Sequence, residues 1–219
     1  MEEIKEDVEI DAEEIRIKGN LAVPKKARGI VIFAHGSGSS RFSPRNRFVA
    51  EYLQKAGFAT LLIDLLTEEE ESVDEITGEF RFNINLLASR LMYAAHFVRG
   101  DERIKNLPVG YFGASTGAGA AIVAAAQLPG RIEAIVSRGG RPDLAEEALR
   151  RVDAATLLIV GGGDPQVIEL NEWALARLSK AKNKEMVIIP GATHLFEEPG
   201  TLEEVADYAK RWFAEYLIP

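Results

Sequence analysis

Apolar residues in this chain fall into short, nearly unbroken runs. Gly29–Ala34 (GIVIFA), Phe58–Ile63 (FATLLI) and Thr156–Val160 (TLLIV) contain almost no polar position. A strand with one wet face alternates, whereas a strand covered on both faces does not. These runs therefore predict strands inside a covered parallel sheet. Val109–Phe112, Ile132–Val136 and Glu185–Ile189 predict three more. Between the runs the spacing changes to that of helices. Ser43-Pro44 supplies an N-cap and a proline at the first helical position, and the helix it opens runs to about Ala56 before Gly57 ends it. Further helices are predicted over Phe82–Val98, from near Ser115, and over Pro142–Arg151, Pro165–Leu178 and Leu202–Leu217. Near the start, Glu14–Ile17 and Leu21–Val23 flank Lys18-Gly19-Asn20, which predicts an opening β-hairpin turning at those three residues. The stretch from Glu68 to about Glu79 is expected to be an acidic, solvated loop.

From residue 29 onward strands and helices alternate. That order predicts an α/β architecture with a mostly parallel sheet and helices on both faces. About eight strands and six helices are expected, in a single domain over residues 1–219. No connection is long enough to hold an inserted domain.

Composition narrows the function classes. The 219 residues are 47% hydrophobic, which fits a packed core and excludes a disordered chain. The net charge of −8 argues against a nucleic-acid partner, which would need a basic face. There is no cysteine, so disulfides, thiolate nucleophiles and cysteine zinc sites are excluded. His35, His96 and His194 are too scattered to suggest a metal site. No apolar run reaches about 18 residues, so no membrane association is expected. The acidic opening MEEIKEDVEI is not a signal peptide, and a cytoplasmic location is expected.

Candidate chemistry centres on Gly113-Ala114-Ser115-Thr116-Gly117, between a predicted strand and a predicted helix. This is the G-x-S-x-G elbow in its required setting. Residues two before and two after the serine must be tiny, or strand and helix collide. The same glycines, with Gly119, also fit the phosphate loop of short-chain dehydrogenases. Several strands precede this loop, however, and no tyrosine is followed four residues later by lysine. An elbow serine needs a base and an orienting acid, in the order Ser, Asp or Glu, His. Only His194 lies beyond Ser115, in a loop leaving the last strand. Asp164, after Gly161-Gly162-Gly163, is the preferred acid. Asp143 is the alternative, and Asp164 could instead cap the next helix. The tetrahedral intermediate requires two N–H donors, expected from Thr116 and Ser37. His35 is read as a brace for the loop that holds Ser37, and His96 as a packed or surface residue. Arg41, Arg45 and Arg47 follow that loop, and Arg138 and Arg141 follow the strand beside the nucleophile. Of these, Arg41 and Arg138 are the candidates for holding an anionic substrate group.

The stretches HGSGSSR (35–41), SPRNR (43–47), GASTG (113–117), SRGGRPDLA (137–145), GGGD (161–164) and GATH (191–194) resemble the dienelactone-hydrolase-like group of α/β-hydrolases. The resemblance covers residues 13 to 217. It implies an α/β-hydrolase fold with eight strands and no cap domain, no cofactor, and hydrolysis of small carboxylic esters or lactones. It also carries Ser115, Asp164 and His194 across as the triad. True dienelactone hydrolases use a cysteine nucleophile, so dienelactone itself is not implied as the substrate. The SPRNR and SRGGRPD stretches resemble a subgroup of small hydrolases, some fused to phosphoribosyltransferases. The expected partner is thus a small-molecule ester or lactone. The alternative from another class is a catalytically silent binding protein of the same fold.

Overall fold

The computed structural model describes residues 3–217. One eight-stranded sheet lies at its centre, in the order β1-β2-β4-β3-β5-β6-β7-β8. The strands are β1 (Ile4–Ala12), β2 (Ile15–Val23), β3 (Ile30–Ala34), β4 (Ala59–Ile63), β5 (Val109–Ala114), β6 (Ala134–Arg138), β7 (Ala155–Gly161) and β8 (Lys184–Ile189). From β4 through β8 every pairing is parallel, while β1 and β2 are antiparallel additions at one edge. The helices are α1 (Pro44–Lys55), α2 (Glu68–Thr77), α3 (Ile84–Gly100), α4 (Thr116–Gln127), α5 (Pro165–Arg177) and α6 (Thr201–Tyr216), with a 3-10 helix over Pro142–Arg150.

The unbroken apolar runs have a direct cause. Ile30 and Ile32 pack into the layer that holds α3 and α4, whereas Val31 and Phe33 pack into the layer of α1 and α6. Both faces of the strand are dry, so neither set of alternating positions can be polar. Two side chains tie layers to sheet through buried carbonyls. Tyr111 Oη donates to Leu91 O at 3.1 Å, and Trp212 Nε1 donates to Ala155 O at 3.1 Å.

Two expectations are corrected. Lys18-Gly19-Asn20 is not a turn. It lies inside β2, with Gly19 opposite Val8, and the chain reverses at Glu13, where φ is +60°. Gly19 is there for space: a Cβ would stand 3.1 Å from Val8 and 3.2 Å from Leu61. The heavily charged β1 keeps its charges on an outer strand, where they discourage edge pairing.

Nor is Glu68–Thr77 a loop. Thr67 and Glu70 form a reciprocal capping box, with Glu70 N–H donating to Thr67 Oγ1 at 3.1 Å and Thr67 N–H donating to Glu70 Oε2 at 2.8 Å. Four glutamates in the first turn suit the positive helix N-terminus, and Gly78 closes the helix in the left-handed conformation. The acidic run that suggested solvated coil is the start signal of α2.

Among the described residues no helix is long and apolar enough to cross a membrane.

Candidate active site

Ser115 stands between β5 and α4 with φ +51° and ψ −123°. A non-glycine residue holds such a conformation only when its surroundings force it, and here they do. A Cβ at Gly113 would lie 2.5 Å from Ala118 Cα, and one at Gly117 would lie 2.4 Å from His35 O. Strand, helix and the loop after β3 therefore close on the turn from three sides. The Ser115 carbonyl accepts from Ala118 N–H at 3.1 Å and Arg141 N–H at 3.0 Å, which holds the turn down.

The loops after β7 and β8 are packed together by the glycines of GGGD. Gly163 N–H donates to Ala192 O at 2.9 Å, and a Cβ at Gly161 would come within 2.4 Å of the same oxygen. This brings Asp164 to His194, with Oδ2 2.7 Å from Nδ1. Asp164 precedes α5 but makes no side-chain cap there, so its carboxylate is directed at the imidazole instead. The rival acid is spent elsewhere, because Asp143 takes a two-pronged contact from Arg141 at 2.8 and 2.7 Å.

A Cβ at Gly139 would sit 3.7 Å from His194 Cε1, and the preceding carbonyl, Arg138 O, accepts from Ser115 N–H at 3.4 Å. The ring of His194 and the backbone of Ser115 thus both lie against the Arg138–Gly139 segment. No hydrogen bond joins Ser115 Oγ to His194; such contacts often tighten only around a substrate.

Ser37 and Thr116 are adjacent, with their hydroxyls 3.1 Å apart. Thr116 opens α4, so its N–H has no acceptor within the helix. His35 is a brace. Its Nδ1 donates to Gly36 O at 2.8 Å and its Nε2 accepts from Leu65 N–H at 3.0 Å, which fixes a neutral ring. Burial pushes its pKa below the ordinary histidine value. His96 lies in α3 and has no place at this site.

The arginines divide sharply. Arg41, expected as an anion holder, is engaged by Asp64: its N–H donates to Oδ1 at 2.8 Å and its guanidinium pairs with Oδ2. Arg47 lies over the Phe42 ring, and Arg45 meets Glu197 at 3.1 Å. Arg138 alone combines deep burial with no carboxylate partner among the described residues. It is 6% exposed. Burial first, and Arg45 second, pull its pKa down to about 10.

Two contributors have no signature in the sequence. Glu198 accepts from Thr193 N–H at 3.0 Å and from its hydroxyl at 2.6 Å, which anchors the loop that presents His194. The same two donors, hydroxyl foremost, hold the Glu198 carboxyl below its usual range. Asn171 of α5 donates to Gly140 O at 3.0 Å, bracing the turn beneath the imidazole.

Residues 17–217 match the dienelactone hydrolase family. The chain belongs to that family. A dienelactone hydrolase from Anabaena variabilis is 57% identical in its crystal structure, with a TM-score of 0.94 over 98% of this chain and 99% of that one. Est1E from Butyrivibrio proteoclasticus shares the fold at 18% identity, with a TM-score of 0.78 over 95% of this chain and 98% of that one. A Mycobacterium tuberculosis protein named "Putative phosphoribosyl transferase" is 56% identical over 212 residues, 97% of this chain. The chain spans about half the length of that relative, 46%. Fold and membership agree on an α/β-hydrolase, and they support hydrolase chemistry for this dienelactone hydrolase family member.

Proposed function

We propose that this protein is a serine hydrolase that cleaves small carboxylic esters or lactones through an acyl-enzyme on Ser115. The observation that carries this reading is the 2.7 Å contact of Asp164 with His194, beside a serine held at φ +51°. In this mechanism Asp164 accepts from His194 Nδ1–H, which leaves Nε2 with a lone pair toward the serine. His194 takes the Ser115 proton as Oγ attacks the carbonyl carbon. The N–H groups of Ser37 and Thr116 receive the charge that develops on the carbonyl oxygen. His194 then returns the proton to the departing alcohol. Water, deprotonated by the same imidazole, releases the acid and restores Ser115. None of these steps calls for a cofactor.

The match to the Mycobacterium tuberculosis relative covers 46% of that longer protein, which leaves more than half of it for the transferase in its name. An elbow packed this tightly, with a serine side chain at its apex, supports acyl transfer better than a phosphate loop does.

A fluorophosphonate tests the proposal. One equivalent should add, and peptide mapping should place it on Ser115. Labelling that survives Ser115→Ala unchanged would sink the assignment of Ser115, and no labelling at all would leave the fold as a binding module instead.

A further inference from the structure

Ser115 and His194 reach the site on different loops, and the segment from Arg138 to Arg141 touches both. Arg138 O accepts from Ser115 N–H at 3.4 Å, and Arg141 N–H donates to Ser115 O at 3.0 Å. A Cβ on Gly139 would stand 3.0 Å from His194 O and 3.7 Å from His194 Cε1. The segment is itself held twice. Gly139 N–H donates to Ile159 O in β7 at 2.8 Å. Gly140 O accepts from Asn171 Nδ2 at 3.0 Å, and the same nitrogen donates to Val167 O, one turn back in α5, at 2.8 Å. Both hydrogens of the amide are thereby spent. α5 carries the acid too. Asp164 precedes its first turn, with Oδ2 2.7 Å from His194 Nδ1. Asn171 follows about two turns later on the same face of that helix.

From these contacts we infer that Asn171 is a positioning residue for acyl transfer. It ties Gly140 to α5, so that one helix references His194 through Asp164 and Ser115 through the Arg138–Arg141 segment. The inference rests on the hydrolase reading above and adds to it what sets the gap between nucleophile and base. Stability does not explain an asparagine at this place. Asn171 is fully buried, and its Oδ1 has no hydrogen-bond partner among the described residues. Ser137 Oγ, which fills the space a Cβ on Gly140 would need, is also buried without a partner. Polar atoms left in that state are destabilising. A leucine of similar volume at 171 would bury no such atom, but it could not hold Gly140.

The test compares Asn171→Leu, which keeps the volume and removes the donor, with Asn171→Ala, which removes both. Single turnovers of 4-nitrophenyl acetate, with enzyme in excess and rates counted per fluorophosphonate-titrated site, read acylation alone. Acylation should slow by about tenfold to a hundredfold in both variants, the scale of a small misplacement of reacting groups. The melting temperature of Asn171→Leu should stay within about 4 °C of the parent. Slow acylation in Asn171→Ala with the parent rate in Asn171→Leu would mean that the side chain only fills space, and would overturn the inference.

Proton NMR of the histidine rings keeps the tie testable apart from catalysis. The chain has three histidines, so their Cε1–H signals are few enough to separate. In either variant the His194 signal should move, because Cε1 faces Gly139, while that of His96 in α3 should stay. An unmoved His194 signal with parent-like acylation overturns the tie and leaves the hydrolase standing. A moved His194 signal, in a protein that hydrolyses no ester and takes up no fluorophosphonate, overturns the hydrolase and keeps the tie.

Discussion

The two arginines buried below a tenth of their surface sit in different company. Arg90, in α3, is 7% exposed and places its guanidinium 2.7 Å from Glu70, whose other oxygen caps α2. Asp74, also buried, accepts from the N–H groups of Phe80 and Arg81 and from the Arg81 side chain. The buried charges of this α2–α3 region, Arg90 and Asp74, are each met by an opposite charge within the chain. On the α1 side of the sheet, Arg138 is equally buried and has no carboxylate partner among the described residues. An internally neutral network is a device for holding a segment in place. A buried charge left without an opposite charge lowers stability. Charges of the first kind should therefore govern stability, and those around Ser115 should govern rate and selectivity.

The largest effect tests the catalytic side. Asp164→Asn keeps the shape but favours the wrong imidazole tautomer, and kcat should fall by up to about ten-thousandfold with little change in melting temperature. Asp143→Asn should cost far less, because Asp143 serves Arg141. If the order is reversed, the acid has been misassigned. Glu70→Ala makes Arg90 what Arg138 already is, an unpaired buried guanidinium. The expected loss is about 3–4 kcal/mol of unfolding free energy, read by urea titration, with selectivity among hydrolysed esters unchanged. A loss below about 1 kcal/mol would mean that such a charge is tolerated cheaply in this fold.

A third effect is pH-dependent. Burial lowers the His35 pKa in the folded state, so the unfolded chain takes up the proton first. Stability from this group is fully present above about pH 6.5 and is lost as pH falls through that value toward the lower folded one. The slope approaches about 1.4 kcal/mol per pH unit. His35→Asn should flatten that part of the stability–pH curve relative to the parent. An unchanged slope would show that His35 titrates alike folded and unfolded. The smallest effect is Thr67→Ala, which removes half of the capping box and should cost about 1 kcal/mol in thermal unfolding, with no change in ester preference.

Much of this is legible in the sequence. GIVIFA, FATLLI and TLLIV announced covered strands because a residue dry on both faces cannot alternate. GASTG announced the elbow because its glycines answer contacts within a few residues of themselves. The meeting of Asp164 and His194 is expected from strand order, since open α/β sheets place their sites at the carboxyl ends of strands, and the two lie 2.7 Å apart. The misreadings also have physical causes. Gly19 looked like a turn because glycine serves both for positive φ and for close strand packing, and only the neighbouring Val8 and Leu61 tell which. The glutamates of α2 looked like coil because their partners, the helix N-terminus and Arg90, are a product of folding.

What the sequence by itself determined is therefore local or repetitive: the strand and helix alternation, the steric demands of the elbow, and the inventory of groups able to act at it. Which of those groups meet was decided by tertiary structure alone. Arg41 and Arg138 are indistinguishable as letters, one in the loop after β3 and the other the last residue of β6. One folds onto Asp64 and the other onto Asn46 and Phe196, with no acid in reach among the described residues. The difference lies in contacts 23 and 92 residues away along the chain. Charge compensation acts through distance in space, and sequence spacing does not carry that distance.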